Sequence, residues 1–388
     1  MKSSGANDYD IAVREFQQQI LPGGHWNAVS PACQADPTLC VFPSTTVWSY
    51  GPESDPLPDS SGIPGGAAGL APALNSQFNY PAFTVENTVN TPTTVDWVND
   101  LKSGVSGDFL THLFPIDQTL HWANPSASCR EGAPRTDCRG TSALPYRGPV
   151  PMVVHVHGAH VAPESDGYAE AWWLPDPTGS NFSCVTDPTE ARDNRYVCQG
   201  SLANGFDATP NTNVRPGVGS FTYTNDQPST TLWYHDHALG MTRLNVYAGP
   251  AGYWLIRDTD GGETGLISGT LPGPAPVAGD DPNFAAGTRA GIREIPIVIQ
   301  DRSFNANGSL FYPQNRAFFE GVASNQLNIK TLPQQGSDIS PIWNPEAFFN
   351  TMVVNGTTWP YLDVAQAKYR FRLLNGCNSR FLNLAMFV

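Results

Sequence analysis

The sequence predicts an all-β protein, and three observations carry that expectation. Glycine and proline number 36 and 35 of 388 residues while charged residues fall to 14 %, against about 25 % in ordinary globular chains, a mixture that suits short strands joined by tight turns. β-prone runs recur along the chain between clusters of Gly, Pro, Asp and Asn. Helical periodicity of useful length occurs over 9–20 alone, where Val13, Phe16 and Ile20 precede Leu21-Pro-Gly-Gly, and the same spacing also fits an extended arm. A hydrophobic fraction of 40 % with ten tryptophans is more apolar surface than a disordered chain carries. The length leaves room for two to three domains with real cores.

Taken in order, 41–114 alternates short β-prone runs with turns such as Asp55-Pro-Leu-Pro-Asp and Ser60-Ser-Gly-Ile-Pro-Gly-Gly. Clearer strands follow at 150–156, 230–237, 251–257 and 294–300. The stretch 159–230 is long for a connection between two strands, and connections of this kind are often functional or partner surfaces. A segment rich in Gly-Gly, Pro-Gly-Pro-Ala-Pro and Gly-Asp-Asp-Pro reads as a linker over 259–289, so we expect a first β unit over 1–258 and a second over 290–388. In the second, Tyr369, Phe371 and Leu373 alternate with Arg370 and Arg372 before Leu374-Asn-Gly turns the chain into an expected last strand over 380–388. That strand stops without a turn or polar tail, so the second unit reads as partial.

A formal charge of −14 repels phosphate backbones and anionic lipid, which excludes nucleic acid and membrane as primary partners. The chain has no apolar run of the roughly 20 residues that a spanning helix needs, and residues 1–10 hold no signal-type apolar core. The seven cysteines fall as Cys33 with Cys40, Cys129 with Cys138, and Cys184 with Cys198, leaving Cys377 alone. Local pairs in loops suit disulfide staples and an oxidising, extracellular or periplasmic compartment.

Chemistry concentrates in the histidines. Four of the eight form two His-x-His pairs, His155 with His157 and His235 with His237, each on a predicted strand. Residues i and i+2 of a strand share a face with Cα atoms about 6.7 Å apart, and a metal–imidazole bond is about 2 Å. The rings of one pair therefore suit neighbouring metals better than a single one. Gly158 permits a sharp turn beside the first pair. In the second, Trp233 continues the histidine face, while Asp236 falls on the other face with Leu232 and Tyr234, as a carboxylate able to orient an imidazole or bound water. One His-x-His alone often binds nothing; two make that reading much weaker. Four neutral imidazoles would also close a zinc site, yet structural zinc is usually held by thiolates, and Glu164 lies too far along for a cupin pattern. Copper is the best remaining ligand match. His160 reads as a loop residue, and His25, His112 and His121 have no ligand partner nearby in sequence.

His155-Val-His-Gly, together with Trp233-Tyr-His-Asp-His-Ala-Leu-Gly-Met-Thr-Arg-Leu-Asn-Val-Tyr-Ala-Gly-Pro-Ala-Gly-Tyr, resembles the multicopper oxidases, in the branch of bacterial spore-coat laccase, bilirubin oxidase and phenoxazinone synthase. Arg14-Glu-Phe-Gln-Gln-Gln-Ile-Leu-Pro, Ile295-Pro-Ile-Val-Ile-Gln-Asp-Arg-Ser-Phe and Tyr369-Arg-Phe-Arg-Leu-Leu-Asn-Gly support the likeness, which covers almost the whole chain. The resemblance implies cupredoxin-like Greek-key β-sandwiches, one complete and the second truncated. It also implies that His155 ligates a type 2 copper, and that His157, His235 and His237 hold a type 3 pair.

The family's remaining ligands lie in a His-Pro-x-His-x-His segment and a His-Cys-His segment near its C-terminus. This chain has no histidine after His237, and Cys377 lacks flanking imidazoles, so no type 1 copper site is expected in it. The sequence therefore reads as the N-terminal portion of a laccase-like multicopper oxidase. It would supply half of a trinuclear copper site that reduces O₂ to water, while a small reductant such as a phenol, an aminophenol, a bilirubin-like pigment or Mn²⁺ is oxidised elsewhere. A C-terminal complement is the implied partner; a copper-binding remnant without oxidase activity is the competing reading. Asp236 is the one non-ligand placed in the catalytic machinery.

Overall fold

The computed structural model describes residues 8–21, 44–55, 77–104, 106–118, 120–126, 136–138, 145–203, 215–257, 293–313, 321, 323 and 346–387. Fourteen strands dominate them: β1 Asp8–Gln18, β2 Thr45–Pro52, β3 Val85–Thr88, β4 Thr93–Asn99, β5 Val154–His157, β6 Ser183–Val185, β7 Arg195–Val197, β8 Val218–Tyr223, β9 Thr230–Asp236, β10 Ala251–Arg257, β11 Glu294–Arg302, β12 Thr351–Val354, β13 Thr357–Thr358 and β14 Arg370–Asn375. One α-helix, α1 Thr242–Ala248, lies between β9 and β10. No described helix is long and apolar enough to cross a membrane.

Alternation builds the first unit. Along β4 buried and half-buried residues strictly alternate, which puts Val95 and Trp97 on the core face. The sheet β2-β1-β4-β8 faces a second sheet, β3-β10-β9-β5. Trp48, Tyr50, Trp97, Tyr234 and Trp254, all fully buried, fill the space between them. Parallel pairing of β1 with β4 and of β3 with β10 requires crossovers from sheet to sheet, as in a Greek key. β10 breaks the alternation, with six of its seven residues buried, because both its faces are covered. Trp254 and Ile256 enter the sandwich core, while Tyr253 and Leu255 pack outward on Val298 and Leu374.

Those last two residues belong to a third sheet, β13-β12-β11-β14. The Tyr253 hydroxyl is 2.9 Å from the carbonyl of Ile297 and 2.8 Å from that of Arg372, binding β10 to β11 and β14. Glu294 completes the junction: fully buried, it accepts hydrogen bonds from Arg257 Nη2 at 2.7 Å and Arg372 Nη2 at 3.2 Å.

Several expectations change. The run 9–20 forms a strand, because β2 and β4 pair with both edges of β1, and two ladders outweigh a weak helical spacing. The expected strand over 150–156 shortens to β5, with Met152 bridging Trp173 instead. The expected last strand is not seen: 380–387 runs without ladder partners among the described residues, and Phe381, Met386 and Phe387 are more than 90 % exposed. Helix α1 was not expected. The 259–289 linker, Cys33, Cys40 and Cys129 lie outside the described residues, whereas Cys184 and Cys198 form a disulfide and Cys377 is free.

Candidate metal centre

β5 and β9 are antiparallel neighbours, and their register puts His155 directly opposite His235. Period-two alternation turns His157 to the same side, and His237, just past the end of β9, stays with the ladder through its N–H to the carbonyl of Val153 at 2.8 Å. The four imidazoles therefore gather on the outer face of the sheet. Their ring centroids are 5.0 Å apart for His155 and His237, 5.5 Å for His155 and His157, and 5.6 Å for His157 and His235. One nitrogen from each of His155, His157 and His235 lies within 4.8 Å of the others. Trp233 closes one side, stacked on His157 at 5.4 Å and tilted against His235 at 4.1 Å.

The electrostatics favour a cation guest. Burial drives the His235 imidazole down to about 3, and lowers His237 and His157 as well, with the neighbouring His155 adding to both shifts. These three rings are neutral at neutral pH and present lone pairs. His235 Nδ1 is engaged at 2.7 Å by the carbonyl of Asp236, which directs Nε2 into the cluster; His155 Nδ1 is engaged at 2.5 Å by the carbonyl of Asp166. His237 Nδ1 is buried without a hydrogen-bond partner, an atom whose desolvation a metal bond would offset. An all-imidazole donor set suits copper or zinc, so the residues fit the metal that the sequence implies.

Asp236 lies behind the sheet, fully buried. Its carboxylate accepts the N–H groups of Val153 and Ala238, both at 3.1 Å, and the Asn245 amide at 2.8 Å. Burial raises it to about 7 against these hydrogen bonds. Its contacts are with backbone and Asn245 rather than with the imidazole rings. The other histidines stand apart: His160 is exposed and 2.8 Å from Asp226, His121 meets the carbonyl of Asp137, and buried His112 contacts Asn245. His25 lies outside the described residues.

A family model described as multicopper oxidase matches residues 197–261, spanning β9, α1 and β10. Over 309 residues the chain is 30 % identical to a laccase of Bacillus subtilis (strain 168), a match covering 79 % of this chain and 42 % of the laccase. The chain belongs to the multicopper oxidase family. A laccase of Haloferax volcanii is 28 % identical over 387 residues, covering 98 % of this chain and 41 % of the relative. The McoA multicopper oxidase of Aquifex aeolicus aligns over 98 % of this chain and 45 % of its own, at 18 % identity and a TM-score of 0.47. The chain spans about two fifths of the length of the curated relatives it matches.

For a multicopper oxidase, two parts of this centre escape the motif. Asp166, whose carboxylate reaches His155 Nδ1 at 3.4 Å, follows a glycine-turned loop with no periodicity to mark it. Asn245 and His112 act from behind the sheet, 133 residues apart in sequence. Within the motif, Asn245 stands next to apolar Leu244 in a segment that the sequence does not mark as a helix.

Proposed function

We propose that this chain is the portion of a laccase-like, copper-dependent oxidase that holds one wall of a trinuclear copper centre, with His155 on the type 2 copper and His157, His235 and His237 on the type 3 pair. The single observation that carries the reading is the convergence of four imidazoles from two paired strands on one face, three of them with nitrogens within 4.8 Å. The bound metals would supply electron transfer to O₂, which is reduced to water with four electrons and four protons. The chain's own residues prepare the face. Burial disfavours protonation of His235, His237 and His157, Trp233 shields one flank, the Asp166 carbonyl orients the His155 ring, and Asp236 braces the backbone between His235 and His237.

The remaining ligands and the entry point for a small reductant, whether phenol, aminophenol, bilirubin-like pigment or Mn²⁺, belong in this reading to a C-terminal complement of the same oxidase. The extent of the relatives beyond the matched region supports that division. So does the exposed apolar surface of the second unit, where Phe371 and Leu373 on β14 and Phe381, Leu384, Met386 and Phe387 beyond it are 44–98 % exposed. The Cys184–Cys198 disulfide supports an extracellular or periplasmic setting.

Native mass spectrometry with copper quantification on material from the source tests the proposal. About four coppers in an assembly that includes the complementary region, with O₂ consumption on adding a phenol, is the expected result. Copper bound without oxidase activity in that assembly establishes the copper-binding remnant instead, and an absence of copper refutes both.

A further inference from the structure

We propose that Asn245 is a positioning residue for the histidine cluster, holding the two His-x-His strands at one spacing from the face opposite the imidazoles. The inference rests on the metal-centre reading above and adds to it a part outside the ligand set. Asn245 is fully buried on α1. Its Nδ2 donates to Asp236 Oδ2 at 2.8 Å and to the carbonyl of Pro151 at 3.2 Å. One NH₂ group thus spans the residue between His235 and His237 and the chain entering β5.

The connection continues through Asp236, which accepts from Val153, two residues before His155, and from Ala238, one residue after His237. At its other end the Asn245 carboxamide is set by His112. Asn245 Oδ1, 2.9 Å from His112 Nε2, can only accept, so Nε2 carries the ring proton and donates, and Nδ1, which also lies 3.1 Å from the Phe114 carbonyl, accepts the Phe114 N–H at 2.9 Å. Donors and acceptors then match from His112 Nε2 through Asn245 to Asp236.

A carboxamide of this length is what the place demands: an oxygen toward an imidazole N–H, and an NH₂ toward a carboxylate and a carbonyl. Aspartate would set a second carboxylate against Asp236, and leucine would strand both His112 Nε2 and part of the Asp236 carboxylate in a dry core. His155 and His235 are cross-strand partners, so a slip between β5 and β9 moves their nitrogens relative to each other directly. Metal–ligand distances tolerate about 0.2 Å.

The test uses the full chain with Cu²⁺ alone as the probe, comparing wild type, Asn245→Leu, and Val353→Ala as a destabilised control remote from the cluster. Affinity is read by chelator competition, the copper environment by electron paramagnetic resonance, and the metal-free strands by amide hydrogen exchange. In Asn245→Leu we expect Cu²⁺ to bind about 10 to 100-fold more weakly, the span typical of groups that orient ligands. We also expect an altered hyperfine pattern and faster exchange at Val153 and Ala238. Val353→Ala should lose thermal stability but keep wild-type affinity and spectrum.

Wild-type copper affinity and spectrum in Asn245→Leu would overturn the proposal, as would unchanged exchange at Val153 and Ala238. Should Asn245→Leu not fold, the pair Asn245→Asp and Asn245→Asp with Asp236→Asn decides: the double variant restores an amide–carboxylate contact and should recover affinity over the single one. Equal affinity in the two overturns the proposal. A wild-type chain that takes up no Cu²⁺ defeats the metal-centre reading, and the exchange data still judge the clamp.

Discussion

Two polar clusters, one buried around Glu294 and one running from buried His235 to exposed His157, set this protein's behaviour. Around Glu294, opposite charges are present in the same chain: Arg257 and Arg372 hydrogen-bond the carboxylate, and Arg370 approaches to 3.5 Å. Around His155 and His235, four imidazoles face one another, the Asp166 carboxylate approaches His155 at 3.4 Å from one side, and a buried His237 nitrogen has no hydrogen-bond partner. Both are preorganised by strand pairing, but the first is complete and the second is not. A self-satisfied cluster joins two parts of a fold, whereas converging imidazoles with one buried nitrogen unpaired are suited to a bound cation. Imidazole donors match copper and zinc.

Perturbing the two clusters should give opposite signatures. The largest effect is expected for Glu294→Ala, which takes the carboxylate from the buried Arg372 guanidinium, while Arg257 keeps its second partner, Glu86. Urea denaturation should register a loss of about 3–5 kcal/mol, while Cu²⁺ affinity of the folded fraction stays at the wild-type value. The reverse is expected at the imidazoles. Cu²⁺ at a hundredfold excess over its dissociation constant should stabilise wild type by about 2.7 kcal/mol, and the double variant His155→Ala with His235→Ala should show no such gain. A metal-induced rise in the unfolding midpoint of that variant would assign the copper to other residues.

An acid titration sharpens the contrast. Burial alone would raise the Glu294 carboxyl, but the hydrogen bonds and charges of Arg257 and Arg372 outweigh it and leave its pKa below 4.5. With the folded value depressed, the unfolded chain binds the proton first, so this contribution is present above about pH 4.5 and is lost as pH falls through the folded value. Glu294→Gln should therefore be less stable at neutral pH and show a flatter decline in metal-free stability below pH 4.5; equal slopes would remove Glu294 from the acid limb. The smallest effect is expected at His160, only three residues past the first pair. Its contact with Asp226 is solvent-exposed, so His160→Ala should leave both the unfolding midpoint and Cu²⁺ affinity within experimental error.

The histidine face was legible in the sequence because strand periodicity is local: His155, His157, Trp233 and His235 differ by even steps, and β9 and β10 lie close to their expected bounds. What supports that face was not legible. Helix α1 contains Thr242, Val246 and Tyr247, residues of modest helix propensity, and forms because Leu244, Asn245, Tyr247 and Ala248 are buried. The strand β1 was ambiguous for the same reason in reverse, since its spacing decides nothing until β2 and β4 supply ladders on both sides. His112 and Asp166 reach the site only through tertiary contacts. The expectation for 380–388 was wrong because apolar alternation describes a strand's face and says nothing of an adjacent edge.

The pairing of His155 with His235 also constrains the order of assembly. These two residues are cross-strand neighbours, yet they are separated by about 80 positions, and closing a loop of that size is an entropic cost met before any contact inside it is gained. Each His-x-His pair exists as soon as its own strand is extended; the four-membered set exists only once the excursion between them has folded back. Copper offered to the nascent chain meets isolated pairs, while copper offered to the finished sheet meets a preformed receptor. In the proposed reading, metal loading would therefore be a late event in the life of this protein, and the strand ladder between β5 and β9 its timing device.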